Sequence, residues 1–125
     1  MAWRYALVLD PVSAEDARAD FSDTLSPIDP AAPALTVGEL STQRGDGVFE
    51  SIGVVSGHPQ EVQAHLERLA HSAQICSLPA PHLEQWRAAI EQAARHAGEG
   101  ESVIKLILSR GVEHALMPLA MLLRS

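Results

Sequence analysis

Two apolar stripes at helical spacing, one directly after the other, constrain this chain more than any other feature. Val62, Leu66, Leu69, Ala73 and Cys76 recur at steps of three and four residues, and Leu83, Trp86, Ile90, Ala93 and Ala97 do so again. Leu78-Pro79-Ala80-Pro81 separates them, because proline lacks the N–H a helix needs and crowds the preceding turn. The spacing predicts one helix over about residues 59–76, with Pro59 in its first turn, where a missing N–H costs nothing. It predicts a second helix from Leu83, ended by Gly98-Glu99-Gly100.

Each helix has one apolar face to cover, and the flanking runs supply the surface. Residues 3–9 read as a strand stopped by Asp10-Pro11. Residues 48–55 read as a second, with Phe49, Ile52, Val54 and Val55 apolar, and residues 102–108, Ser-Val-Ile-Lys-Leu-Ile-Leu, as a strong third. A last apolar run covers 116–123. The order is strand, loop, strand, helix, helix, strand, strand. The economical solution is an α+β fold: a two-layer sandwich, a mainly antiparallel sheet with two helices on one face. At 125 residues this is a single domain with one core.

Residues 10–41 differ in character. Pro11, Pro27, Pro30 and Pro33 lie among Ser, Asp and Ala without periodicity, predicting a long irregular loop with room for a short helix at 14–19. Gly45-Asp46-Gly47 then reads as a turn; the two glycines precede a strand, whereas a phosphate loop precedes a helix.

The formal net charge of −7, with Lys and Arg scattered, argues against nucleic acid or an anionic membrane as partner. An anionic ligand must be held by a few local Arg side chains. The N-terminal apolar stretch is too short to span a bilayer, and Cys76 is the only cysteine, so no internal disulfide forms and a reducing, cytoplasmic setting fits. Cys76 itself closes an apolar stripe and is expected as a small core residue. Of the six histidines, His65 and His71 are not at the i, i+4 spacing that would put both on one helical face, and no HExxH pattern occurs, so no metal site is expected. Lys105 is the single lysine; strand alternation puts it on one face with Val103, Ile107 and Ser109, and a structural role is expected, at an edge or by snorkelling.

Three segments carry a resemblance. Arg44-Gly45-Asp46-Gly47-Val48-Phe49-Glu50, then His65-Leu66-Glu67-Arg68-Leu69 followed by Ser72-Ala73, then Ile104-Lys105-Leu106-Ile107-Leu108-Ser109-Arg110-Gly111, occur in order on the strand, helix and strand just deduced. Together they resemble the N-terminal region of the class IV (fold-type IV) pyridoxal-phosphate-dependent aminotransferases. The wording is most like that of the 4-amino-4-deoxychorismate lyases, and the match covers about residues 40 to 112.

The resemblance implies the small N-terminal domain of that fold, with pyridoxal 5′-phosphate as cofactor of the full-length enzyme. It implies a lyase converting 4-amino-4-deoxychorismate to p-aminobenzoate and pyruvate, a step toward folate, acting on a small molecule as a homodimer. A branched-chain or D-amino-acid aminotransferase is the neighbouring alternative; a non-catalytic domain of the same fold is another. By resemblance Arg68 contacts the cofactor phosphate, a task for which a planar bidentate guanidinium is suited. Read alone, it is a solvent-facing helical Arg paired with a nearby Glu. Arg110, by resemblance, meets a substrate carboxylate near the pocket mouth, although the further Arg of the aminotransferases is replaced here by Val112-Glu113-His114-Ala115. Phe49 stands where some relatives have Tyr; without a hydroxyl it is left with core packing or a pocket wall. The lysine that holds the cofactor lies in the family's second domain. The expectation is therefore an N-terminal domain, residues 1–125, with no catalytic lysine, that does not bind the cofactor on its own.

Overall fold

The computed structural model describes residues 3–31, 47–109 and 119–124. Six strands form one sheet, β1 (Trp3–Leu9), β2 (Leu25–Ile28), β3 (Gly47–Val55), β4 (His58–Pro59), β5 (Glu101–Ser109) and β6 (Leu119–Arg124), in the order β2-β1-β6-β5-β3-β4. Every pairing is antiparallel. Two helices, α1 (Val62–Ile75) and α2 (Leu83–Ala94), pack on the sheet. The α+β two-layer arrangement expected from the sequence is the one observed.

The core lies between the layers and follows from the two periodicities. In β3 alternate residues Val48, Glu50, Ile52 and Val54 are buried, and in β5 Ser102, Ile104, Leu106 and Leu108. The register aligns these sets, pairing Ile52 with Ile104 and Glu50 with Leu106. Leu66, Leu69 and Ala73 of α1 and Trp86, Ala89, Ile90 and Ala93 of α2 close over them. The stripe of α1 stops short of its expected end, for Cys76 is exposed at the C-cap and Ile75 is 69% exposed. The expectation of a core cysteine is thus corrected: the helix ends at Ile75, and its last residues run past the edge of the core.

The expected helix start at Pro59 is also corrected. Ser56 and Gly57 both have positive φ, 48° and 79°, which a two-residue hairpin turn of type I′ requires. The chain therefore folds back at once, and His58 and Pro59 pair with Val55 and Val54 before α1 begins. Proline is tolerated there because β4 is the last strand of the sheet.

Residues 10–31 are more ordered than their composition suggests, and the short helix at 14–19 is not formed. A 3-10 turn at Ser22–Thr24 leads into β2, which pairs with β1. Buried Gln85 of α2 ties the segment down: its side-chain amide donates to the Asp10 carbonyl at 2.6 Å and to Thr24 Oγ1 at 3.0 Å. His82 caps α2, its Nδ1 accepting from the Gln85 N–H, so its Nε2–H is left to donate to the Asp16 carbonyl at 2.8 Å. Nothing in the residue order of 10–31 announces these bonds; the anchoring residues are on α2.

Arg18 donates to both carboxylate oxygens of Asp16, at 3.0 and 2.8 Å. These bonds and the Arg18 backbone N–H hold the Asp16 pKa down, from 3.8 to about 2. A depressed carboxylate pKa contributes stability that is present above the ordinary value and disappears as pH falls through the lowered one. Arg18→Ala should return the Asp16 titration toward 3.8, followed by carboxyl NMR; a midpoint still near 2 would contradict this. In the core, Ile52→Ala should cost about 2–5 kcal/mol in urea unfolding, because Ile52 is fully buried and its loss leaves a cavity.

Candidate functional site

The same alternation that builds the core of β3 also buries a carboxylate. Glu50 falls between Val48 and Ile52 on the helix-facing side, and its side chain is 8% exposed. A buried carboxylate must be paired. Both partners come from α1. His65 Nδ1 lies 2.6 Å from Glu50 Oε1, and an Arg68 terminal nitrogen lies 3.4 Å from the same oxygen. His65 and Arg68 are three residues apart on a helix, which sets them side by side over one point of the strand. An ionised carboxylate only accepts, so the shared proton of the short contact belongs to His65 Nδ1.

Among the described residues Arg68 is held at one corner. Its side chain is 70% exposed, and a guanidinium carries five N–H donors in a planar fork. A phosphate group takes two such donors in parallel. The donor set therefore fits the phosphate of a cofactor, which Arg68 would hold. It equally matches the bare reading of the sequence, an exposed Arg paired with a Glu; that Glu lies on a different element and is buried.

Phe49 points the other way. It is 57% exposed on the open face of the sheet, so the core-packing expectation is corrected, odd-numbered residues of β3 facing away from the helices. Lys105 joins it there, its Nζ 4.9 Å from the Phe49 ring centroid. Lys105 is on β5, between β6 and β3, so it is not at an edge. Phe49 and Lys105 are thus on one face of the sheet and the Glu50–His65–Arg68 group on the other. Arg110 and the turn at Gly45-Asp46 lie outside the described residues. Among the described residues no cluster of three His, Cys, Asp or Glu could hold a metal, and no helix is long and apolar enough to cross a membrane.

Sequence reasoning singled out Arg68 and passed over Glu50 and His65. The signal was available: period-2 counting from Val48, Ile52 and Val54 places Glu50 on the core side, and a carboxylate there demands a partner.

Residues 47–120 match the family model for class IV amino-transferases, a span that includes β3, α1 and β5. The chain belongs to the class IV aminotransferase family. It is 41% identical over 96 residues to a bifunctional aminodeoxychorismate lyase / D-amino acid transaminase of Mycobacterium tuberculosis, a stretch covering 74% of this chain and 33% of that relative. A fold IV transaminase from Curtobacterium pusillum superposes with a TM-score of 0.81 at 36% identity, covering 97% of this chain and 42% of that one. A hypothetical aminotransferase of M. tuberculosis in its PLP-bound form gives 0.80 at 34%, covering 98% and 39%. The chain thus spans a third or less of the length of the curated relatives it matches. It corresponds in fold to the N-terminal domain of the family.

The placement of Phe49 carries a direct test. Phe49→Ser should change stability by about 1 kcal/mol or less, the range of a surface substitution with one cation–π contact. A loss as large as that of Ile52→Ala would mean that the ring is buried.

Proposed function

We propose that these residues form the N-terminal portion of a pyridoxal-phosphate-dependent enzyme resembling aminodeoxychorismate lyase, and that Arg68 holds the cofactor phosphate. The observation that carries the reading is the guanidinium itself, 3.4 Å from a buried carboxylate on a side chain that is 70% exposed. Support comes from the PLP-bound state of one structural neighbour and from the lyase activity in the name of the 41% identical relative. When bound, the cofactor supplies an electron sink for the carbon next to the substrate nitrogen.

The work of the present residues is to bind and orient. Arg68 anchors the phosphate and so sets the position of the whole ring. Phe49, across the sheet from Arg68, offers an apolar wall away from the phosphate, and without a hydroxyl it takes no part in proton transfer. Lys105, beside Phe49 and across the sheet from Arg68, is assigned no bond to the cofactor. Arg110 is the residue of this chain proposed to meet a substrate carboxylate. The lysine that holds the cofactor belongs, on this reading, to the family's second domain, and a homodimer is the expected assembly. A D-amino-acid transaminase is the second reading, favoured by the other half of the same relative's name.

The test is a chimera in which this chain replaces the matching third of the M. tuberculosis relative. We expect p-aminobenzoate and pyruvate from 4-amino-4-deoxychorismate. Arg68→Ala should raise the cofactor concentration needed for half-saturation by roughly ten- to a hundredfold, the loss of a charge-assisted pair. Pyruvate from D-alanine without p-aminobenzoate would select the transaminase. A chimera that folds and binds cofactor normally with Ala at position 68 would remove Arg68 from the site.

A further inference from the structure

We propose that Glu50, oriented by His65, is a positioning residue that aims the Arg68 guanidinium at a phosphomonoester. This rests on the phosphate role proposed for Arg68 and adds to it two residues that touch neither cofactor nor substrate.

The two contacts to Glu50 Oε1 are unequal. The bond from His65 is short, 2.6 Å, and part-buried, whereas the approach of Arg68 is long, 3.4 Å, with the guanidinium largely in solvent. Glu50 is therefore fixed first by His65, and its oxygen then presents a stationary negative charge to Arg68. A free arginine side chain samples many rotamers, and ordering it on binding is costly. A carboxylate at one corner removes part of that cost in advance, and the long contact leaves the opposite edge of the fork to an incoming anion. His65 contributes in a second way. With its Nδ1–H committed to Glu50, the bond is directional, and it fixes which carboxylate oxygen faces Arg68.

Simple electrostatics makes the opposite prediction, which gives the proposal a sign. Glu50 is a negative charge beside an anion site, and the chain is already at −7. If Glu50 only competes for Arg68, then Glu50→Gln, which removes that charge, tightens phosphate binding. If it positions Arg68, the same change weakens binding.

The experiment titrates the full 125-residue chain with inorganic phosphate at fixed ionic strength, following the Arg68 side-chain Nε–Hε resonance by 15N NMR. Native folding of each variant is checked from its backbone amide spectrum. We expect Glu50→Gln to weaken phosphate binding by about threefold or more, the loss of a charge-assisted constraint, and to move the free-state Arg68 resonance toward that of a mobile arginine. His65→Ala should weaken it in the same direction, and His65→Asn, which keeps an N–H donor near the Nδ1 position, should restore it. Should Glu50→Gln fail to fold, the His65 pair decides: equal affinities in wild type, His65→Ala and His65→Asn would overturn the proposal. Unchanged or tighter binding in folded Glu50→Gln would overturn it as well. A different result, phosphate binding that survives Arg68→Ala, would instead overturn the phosphate role of Arg68.

Discussion

A carboxylate on the inner side of a strand cannot be left unpaired, and that constraint organises this end of the molecule. The period-2 pattern that lets β3 contribute Val48, Ile52 and Val54 to the core carries Glu50 to the same side. Burying an unpaired charge costs more than one good apolar contact returns, so the helix crossing there must bring a cation. Arg68 is that cation, and His65, one turn away on α1, adds a ring N–H donor. Packing and site are thus one arrangement: Leu66 and Leu69 anchor the helix in the core, and His65 and Arg68 on its flank meet the carboxylate.

The sheet then separates two environments. The face under the helices holds the core and the charged group, and the open face holds the Phe49 ring and the Lys105 ammonium. The phosphate role proposed for Arg68 belongs to the helix side of β3 and the Phe49 ring to the other side, because residues 49 and 50 are adjacent on the strand and face opposite ways. The chain spans 33% of the M. tuberculosis relative and less of other curated relatives.

Much of this was legible in the residue order, where periodicity was strong and local. The strands at 47–55 and 101–109 and the stripes of α1 and α2 emerged with small errors at their ends. What was not legible depended on long-range bonds. β2 was hidden in a proline-rich segment because its stability comes from β1, and from Gln85 some sixty residues away. β4 was hidden because Pro59 suits a first helical turn as well as an edge strand, and only the positive φ of Ser56 and Gly57 decides between them. In the site, Arg68 was found through its surrounding motif. Of the two places open to Phe49, core packing is excluded by strand alternation, which turns its ring away from the helices.

The most direct measurement is a crystal structure, with pyridoxal 5′-phosphate, of the chimera in which this chain replaces the matching third of the M. tuberculosis relative. The account predicts phosphate oxygens at charge-assisted hydrogen-bond distance, about 2.7–2.9 Å, from the Arg68 guanidinium, with the Glu50–His65 bond intact behind it. A phosphate bound elsewhere, with Arg68 surrounded by water, would contradict it.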